Sequence, residues 1–218
     1  MKTKLLLPIL VSLLLLTTSN QAVSAIIKFN GNEVGAIDLN GISSSFEEFY
    51  DYRNASANTG LEIVNSVVMF IGELNDEYAI FTIANKWNSG GASGHLGVNI
   101  TASSGSVSFA DDSNELSNSG NLTFYWGGEF TDGYIYSGFD DEFTFTQILN
   151  SFKGIEGLYF VNFLDGTLGS QSYSDLISIR NNEFTVSRTA QAVNAPSTIG
   201  FFLLFSTVLL ATRIRAKR

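Results

Sequence analysis

Between residues 26 and 190 the chain repeats one theme. Short runs of β-branched and aromatic residues alternate with clusters of Gly, Asn, Asp and Ser, and Pro is absent. Such runs fit a pleated, half-buried surface, and such clusters fit the tight turns between strands. The theme constrains this stretch to many short strands packed as layers. We therefore expect an all-β fold, a jelly-roll-like sandwich with one short helix.

Taken in order, Ile26 to Phe29 predicts an edge strand ended by the turn pair Asn30-Gly31. Phe46 to Tyr52 predicts a strand. Leu61 to Ile71 is the most continuous apolar segment and predicts a buried strand or strand pair. In Glu77 to Ala84, Tyr78, Ile80, Thr82 and Ala84 alternate with Ala79, Phe81 and Ile83. Residues 70 to 84 thus predict a hairpin turning near Leu74-Asn75-Asp76. Ser89 to Gly94 is too rich in Gly for regular structure and predicts a loop. Further strands are expected over Leu96 to Ala102, Ser106 to Ala110, Asn121 to Trp126, Leu158 to Phe163 and Phe184 to Ser187. Glu142-Phe143-Thr144-Phe145 alternates as a strand would, and Thr144 and Gln147 then have capping-box spacing, which predicts the short helix, running through Phe152 and ended by Gly154 and Gly157. No internal repeat or heptad is present.

The two ends are of another kind. Lys2 and Lys4 precede an apolar stretch from Leu5 to Leu16, and Val23-Ser24-Ala25 supplies modest side chains at the −3 and −1 positions of a cleavage site. Residues 1-25 read as a secretory signal peptide cut after Ala25. At the other end, residues 199-212 carry no charge. As a helix they would reach roughly 21 Å, short of the ~30 Å hydrocarbon core. A basic tip, residues 213-218 with Arg213, Arg215, Lys217 and Arg218, follows at once and favours the cytoplasm. The middle would be threaded outward as a loop and then released at one or both ends.

The segment from Val193 to Arg218 resembles the C-terminal sorting signal of PEP-CTERM proteins, which exosortases process in Gram-negative bacteria that make exopolysaccharide. That pattern is Val-Pro-Glu-Pro-Ser-Thr, a hydrophobic segment and an Arg-rich end. Val193, Pro196, Ser197 and Thr198 match it, while Asn194 and Ala195 replace the first Pro and the Glu. The resemblance implies partners at the sorting step: the secretion machinery, a signal peptidase and an exosortase-like membrane enzyme. It implies transient residence in the inner membrane through residues 199-212, then a place in the cell envelope, at the outer surface or in the extracellular matrix. An ordinary C-terminal membrane anchor is the alternative. The expected organisation is a signal peptide (1-25), an extracellular all-β domain (26-190), and a linker with the sorting signal (191-218).

Composition narrows the chemistry of the middle. There are no cysteines, hence no disulfide staples, no thiolate nucleophile and no Cys-based metal site. Six of the 12 Lys and Arg lie in the two ends, so the domain holds the other six against all 21 Asp and Glu, a net charge of −15. A surface of that sign repels nucleic acid and anionic lipid. His95, the single histidine, has no Gly-x-Ser-x-Gly elbow to serve, and one His without Cys does not make a zinc site. Glu129 with Asp132, or Asp140 with Asp141 and Glu142, are carboxylate pairs of the kind glycoside hydrolysis uses, but spacing alone does not set them across a cleft.

Two binding chemistries stay open. Asp111, Asp112, Asn114 and Glu115 are hard oxygen donors dense enough for calcium, though a solvated acidic loop has the same composition. Tyr125, Trp126, Tyr134 and Tyr136 cluster around Gly127-Gly128 and Gly133, and Trp87 precedes the Gly-rich loop. Their faces suit stacking on sugar rings with carboxylates accepting hydroxyl hydrogen bonds, and core packing is the other use of such rings. The expected function is a non-enzymatic envelope or matrix protein with no resident cofactor. A calcium-assisted module for extracellular polysaccharide is the alternative, and an extracellular hydrolase the third reading.

Overall fold

The computed structural model describes residues 23–52, 56–112, 121–175 and 183–192. Backbone packing divides the chain into two units, one of Ile26–Thr189 and one of Met1–Ala25 with Ala190–Arg218. The first of these units holds the sandwich.

Thirteen described strands form two sheets. One has six strands in the order β2 (Asn32–Glu33), β1 (Val23–Phe29), β13 (Glu183–Ala192), β10 (Phe143–Lys153), β6 (Gly94–Ala102) and β8 (Asn121–Trp126). The other has seven: β12 (Gln171–Asp175), β11 (Gly157–Phe163), β4 (Ser66–Leu74), β5 (Glu77–Ala84), β9 (Asp132–Ser137) and β7 (Ser106–Ala110), with β3 (Ile37–Asp38) also pairing β4. The fold is an all-β sandwich. β11 and β3 both run parallel to β4, one against each end of it. A jelly roll has antiparallel neighbours throughout, so the likeness is confined to the two-sheet architecture.

Local chemistry accounts for the registers. Asn75 and Asp76, with φ of 53° and 66°, make the two-residue turn between β4 and β5, and Asn30 with Gly31 (φ 48° and 83°) does the same between β1 and β2. Two successive positive φ values match the right-handed twist of the strands they join. At the edge of the six-stranded sheet, β8 alternates strictly: Leu122, Phe124 and Trp126 point inward, while Asn121, Thr123 and Tyr125 point out.

The inner faces of the two sheets share a core. Phe29 and Phe184 of the six-stranded sheet meet Phe160 of the seven-stranded one, with Phe29 and Phe160 stacked at 3.8 Å between centroids. Phe124 stacks on Tyr134 at 5.2 Å, and Phe145 meets Tyr136 edge-on at 5.0 Å. The seven-stranded sheet has a second buried face. Val68, Phe70, Phe81, Ile83, Ile135 and Val161 pack there beneath Leu39, Phe46, Phe49, Tyr50 and Leu61. A sheet covered on both sides reads as a continuous apolar run, which is why β4 does so.

The layer above that second face holds the only described α-helix, α1 (Phe46–Tyr50). Two expectations are corrected by these elements. Phe46 to Tyr50 is helical: Ser45 Oγ accepts from Glu48 N–H at 3.0 Å, Glu48 Oε2 reaches back to Ser44 N–H, and Asp51 closes the turn at φ 52°. The acidic residues of its first turn also suit the positive end of the helix. Conversely, Thr144 to Phe152 lies within β10, because Phe143, Phe145, Gln147 and Leu149 alternate inward along it. A period of two sustained over the run outweighs one pair with capping spacing. The segment 61–65 is also outside β4, which begins at Ser66.

Candidate functional site

The end of the sandwich where β9 begins and β8 finishes carries a concavity with a volume of about 200 Å³. Its floor is the buried Trp126, Thr131 and Asp132, and its rim is Asp111, Asp112, Tyr125, Gly127 and Phe130. That is below the ~300–1,000 Å³ of sites for larger ligands and suits a single small ring.

Each rim group is held by identifiable contacts. Asp111 continues β7, its N–H donating to Gly133 O at 3.0 Å on the neighbouring β9. Tyr50, the last residue of α1, donates its hydroxyl to Asp111 Oδ2 at 3.2 Å. Asp111 Oδ1 is buried and has no hydrogen-bond partner among the described residues. Burial pushes the Asp111 carboxyl up to about 7; the neighbouring Asp112 charge adds to this, and the Tyr50 and Tyr52 hydroxyls oppose it. Tyr50 is raised well above the ordinary phenol value, by burial first and by the Asp111 and Asp132 charges next. Asp132 is buried, with Oδ1 accepting from Gly133 N–H at 2.7 Å. Thr131 is clamped between Ser56, whose Oγ accepts from its N–H at 3.1 Å, and the Ala57 N–H, which donates to its hydroxyl.

The aromatic candidates separate cleanly. Trp126, Tyr134 and Tyr136 are core residues at 4%, 0% and 8% exposure, whereas Tyr125 is 66% exposed at the pocket rim. Trp126 still faces the pocket floor, and its indole N–H donates to Ala92 O at 3.1 Å. Tyr134 donates to Gln147 Oε1 inside the core. Two residues were not among the sequence candidates: Phe130, which is 43% exposed on the rim, and Tyr50 beneath it. Strict alternation along β8 was the available signal that Tyr125 and Trp126 face opposite sides.

Loops around the pocket are tied to one another by side chains. The Asn85 amide donates to Phe130 O at 2.8 Å and accepts from Asn65 N–H at 2.9 Å, while Asn65 Oδ1 accepts from Ala92 N–H at 2.7 Å. Asn88 N–H donates to Glu129 O at 2.9 Å, joining the loop that carries Trp87 to the loop that carries Phe130. A Cβ on Gly128 would lie 2.2 Å from Gly91 O, so the close approach of these two loops admits only glycine there.

His95 stands beside Tyr125, ring centroids 5.9 Å apart, and is the register partner of Lys153 on its other side. Glu129 is exposed in the turn while Asp132 is buried below it. Asp140, Asp141 and Glu142 are exposed in the β9–β10 loop at the opposite end, where Arg188 Nη1 approaches Asp141 Oδ1 at 3.8 Å. Of the four calcium candidates, Asp111 and Asp112 share the rim, and Asn114 and Glu115 lie outside the described residues. Among the described residues no group of three or more His, Cys, Asp or Glu converges as a metal site. Val193, Pro196, Ser197 and Thr198 lie outside the described residues, and cleavage after Ala25 would leave Ile26 to Phe29 of β1 in place. No helix among the described residues is long and apolar enough to cross a membrane, and residues 199-212 are not among them.

No family model, no curated protein and no solved structure matches this chain.

Proposed function

We propose that this chain is an exported, non-enzymatic protein of the cell envelope or extracellular matrix, and that its sandwich binds an uncharged sugar of an extracellular polysaccharide beside Tyr125. Support for delivery comes from the ends: a basic-then-apolar leader through Ala25, and Val193, Pro196, Ser197 and Thr198 ahead of an apolar run and a basic tip. Signal peptidase and an exosortase-like enzyme are the partners this reading requires, with residues 199-212 lodged in the membrane until processing.

The observation that carries the binding half is the Tyr125 ring, exposed at the mouth of a pocket that Asp111, Asp112 and Asp132 also line. A sugar ring offers apolar C–H faces to an aromatic side chain and hydroxyl donors to carboxylates, and it brings no charge for this acidic domain to repel. Asp111 and Asp112 are oxygen donors of the type calcium takes, so the proposal includes calcium as an aid to binding.

The test is binding of the full chain to immobilised neutral glycans, with calcium and with a chelator. Tyr125→Ala is expected to weaken binding at least tenfold, a loss of about 1.4 kcal/mol, without changing the melting temperature. Binding that survives this substitution intact contradicts the assignment.

A further inference from the structure

We infer that the pocket is one subsite of a longer platform, and that the ligand is an internal stretch of a polymer rather than a single sugar or a chain end. The inference rests on the glycan reading above and deepens it.

Large aromatic side chains stand exposed at this end of the sandwich, among them Tyr125 at 66%, Phe130 at 43% and Trp87 at 39%. Tyr125 and Phe130 are on the pocket rim. Trp87 precedes Asn88, whose N–H is bonded to Glu129 O, the residue before Phe130. Trp87 and Phe130 therefore belong to adjoining loops and Tyr125 to the end of β8, at the mouth of a pocket that has room for one ring.

These loops are built to hold still. Asn85, itself 1% exposed, pins Phe130 O and Asn65 N–H, Asn65 pins Ala92, and Trp126 holds Ala92 O from below. A preordered surface loses less freedom when a ligand lands, so apolar rings kept in water at fixed positions are suited to successive units of a stiff polymer. Carboxylates accompany them, with Asp111 and Asp112 on the rim and Glu129 exposed between Trp87 and Phe130. Together they complement a chain of hydroxyls and C–H faces, and they oppose a polyanion.

Asn30 N–H donates to Thr185 O and Thr185 N–H to Asn30 Oδ1, so the end of β1 lies beside the start of β13. The β10–β13 register puts Arg188 opposite Phe143, whereas Lys153, at the other end of β10, pairs with His95 next to Tyr125. Among the described residues, β13 therefore leaves the sandwich at the end away from the platform.

The experiment measures affinity of the full chain for immobilised neutral gluco- and galacto-oligosaccharides, from single sugars to hexamers. The expected result is an affinity that climbs about tenfold or more with length. Trp87→Ala should abolish that climb while leaving monosaccharide affinity unchanged, and Trp87→Phe should restore part of it. Melting curves verify that each variant folds. Affinity independent of length, or a climb that survives Trp87→Ala, overturns the platform and leaves the single-sugar reading standing. Absence of binding to every probe overturns both.

Discussion

Asp111→Asn is expected to raise the melting temperature of the domain by about 5 °C at pH 8 and to leave it unchanged near pH 4. The cause is the half-buried Asp111 carboxyl, whose protonated form the fold favours up to about 7, against roughly 3.9 for an aspartate in an unfolded chain. The folded state therefore holds a proton that the unfolded state gives up between those two values. Stability from this group is complete below about pH 4 and is lost as pH rises to about 7.

Taken at face value the difference is about 4 kcal/mol. Asp111 keeps appreciable contact with solvent, so about half of that, ~2 kcal/mol, is a fairer expectation. At 2–4 °C per kcal/mol for a domain of this size, the shift is about 5 °C. Asn keeps an oxygen to accept the Tyr50 hydroxyl and carries no charge to strand beside Asp112 and Asp132. Thermal melts of both proteins from pH 4 to pH 8.5 provide the check. Curves that stay parallel across this range would mean the carboxyl is solvated in the folded protein and the pocket wall is misassigned.

Phe81→Ala should cost about 3–5 kcal/mol, a large part of the 5–15 kcal/mol available to a typical domain. Phe81 has no exposed surface, stacks on Phe70 at 4.6 Å, and takes the edges of Phe46 and Phe49 at 6.1 and 5.9 Å. Its ring also covers Gly72, where an added Cβ would lie 2.9 Å from Phe81 Cε2. Removing it takes away the ring that most joins α1 to the seven-stranded sheet. Urea unfolding measures the cost. A cost below about 1 kcal/mol would say that the layer over this face is not packed as described.

Much of the strand order was legible in the residues themselves. The strands β5, β6, β7, β8 and β11 follow from alternation or apolar runs bounded by turn residues, and the Asn75-Asp76 hairpin from turn chemistry. The two buried faces of β5 were present as two interleaved apolar sets, Ile80 and Ala84 against Ala79, Phe81 and Ile83. The helix escaped because Phe46, Phe49 and Tyr50 are as aromatic as a strand, although Ser45 and Glu48 carried the capping spacing. The start of β10 follows from the alternation of Glu142 to Phe145, whereas the same kind of capping spacing at Thr144 and Gln147 points falsely to helix over the rest of it.

The site was less legible. Tyr125 was readable as a surface ring from alternation in β8, but Tyr134 and Tyr136 were not readable as core, because β9 is covered on both faces by residues distant in sequence. The Asp111 carboxyl is raised by burial and takes its hydrogen bond from Tyr50, 61 positions away, and the loops beside the pocket are tied by Asn65 and Asn85. Contacts of that range leave no local pattern.

The most direct test of the central claim is the intact mass of the protein recovered from the cell surface or medium of the cells that make it. We expect the 23.7 kDa chain to have lost residues 1-25 and, through cleavage near Pro196, the apolar run and basic tip. A full-length mass, with Met1 and Arg218 both retained and the protein in the cytosol, would contradict export, sorting and the extracellular ligand together.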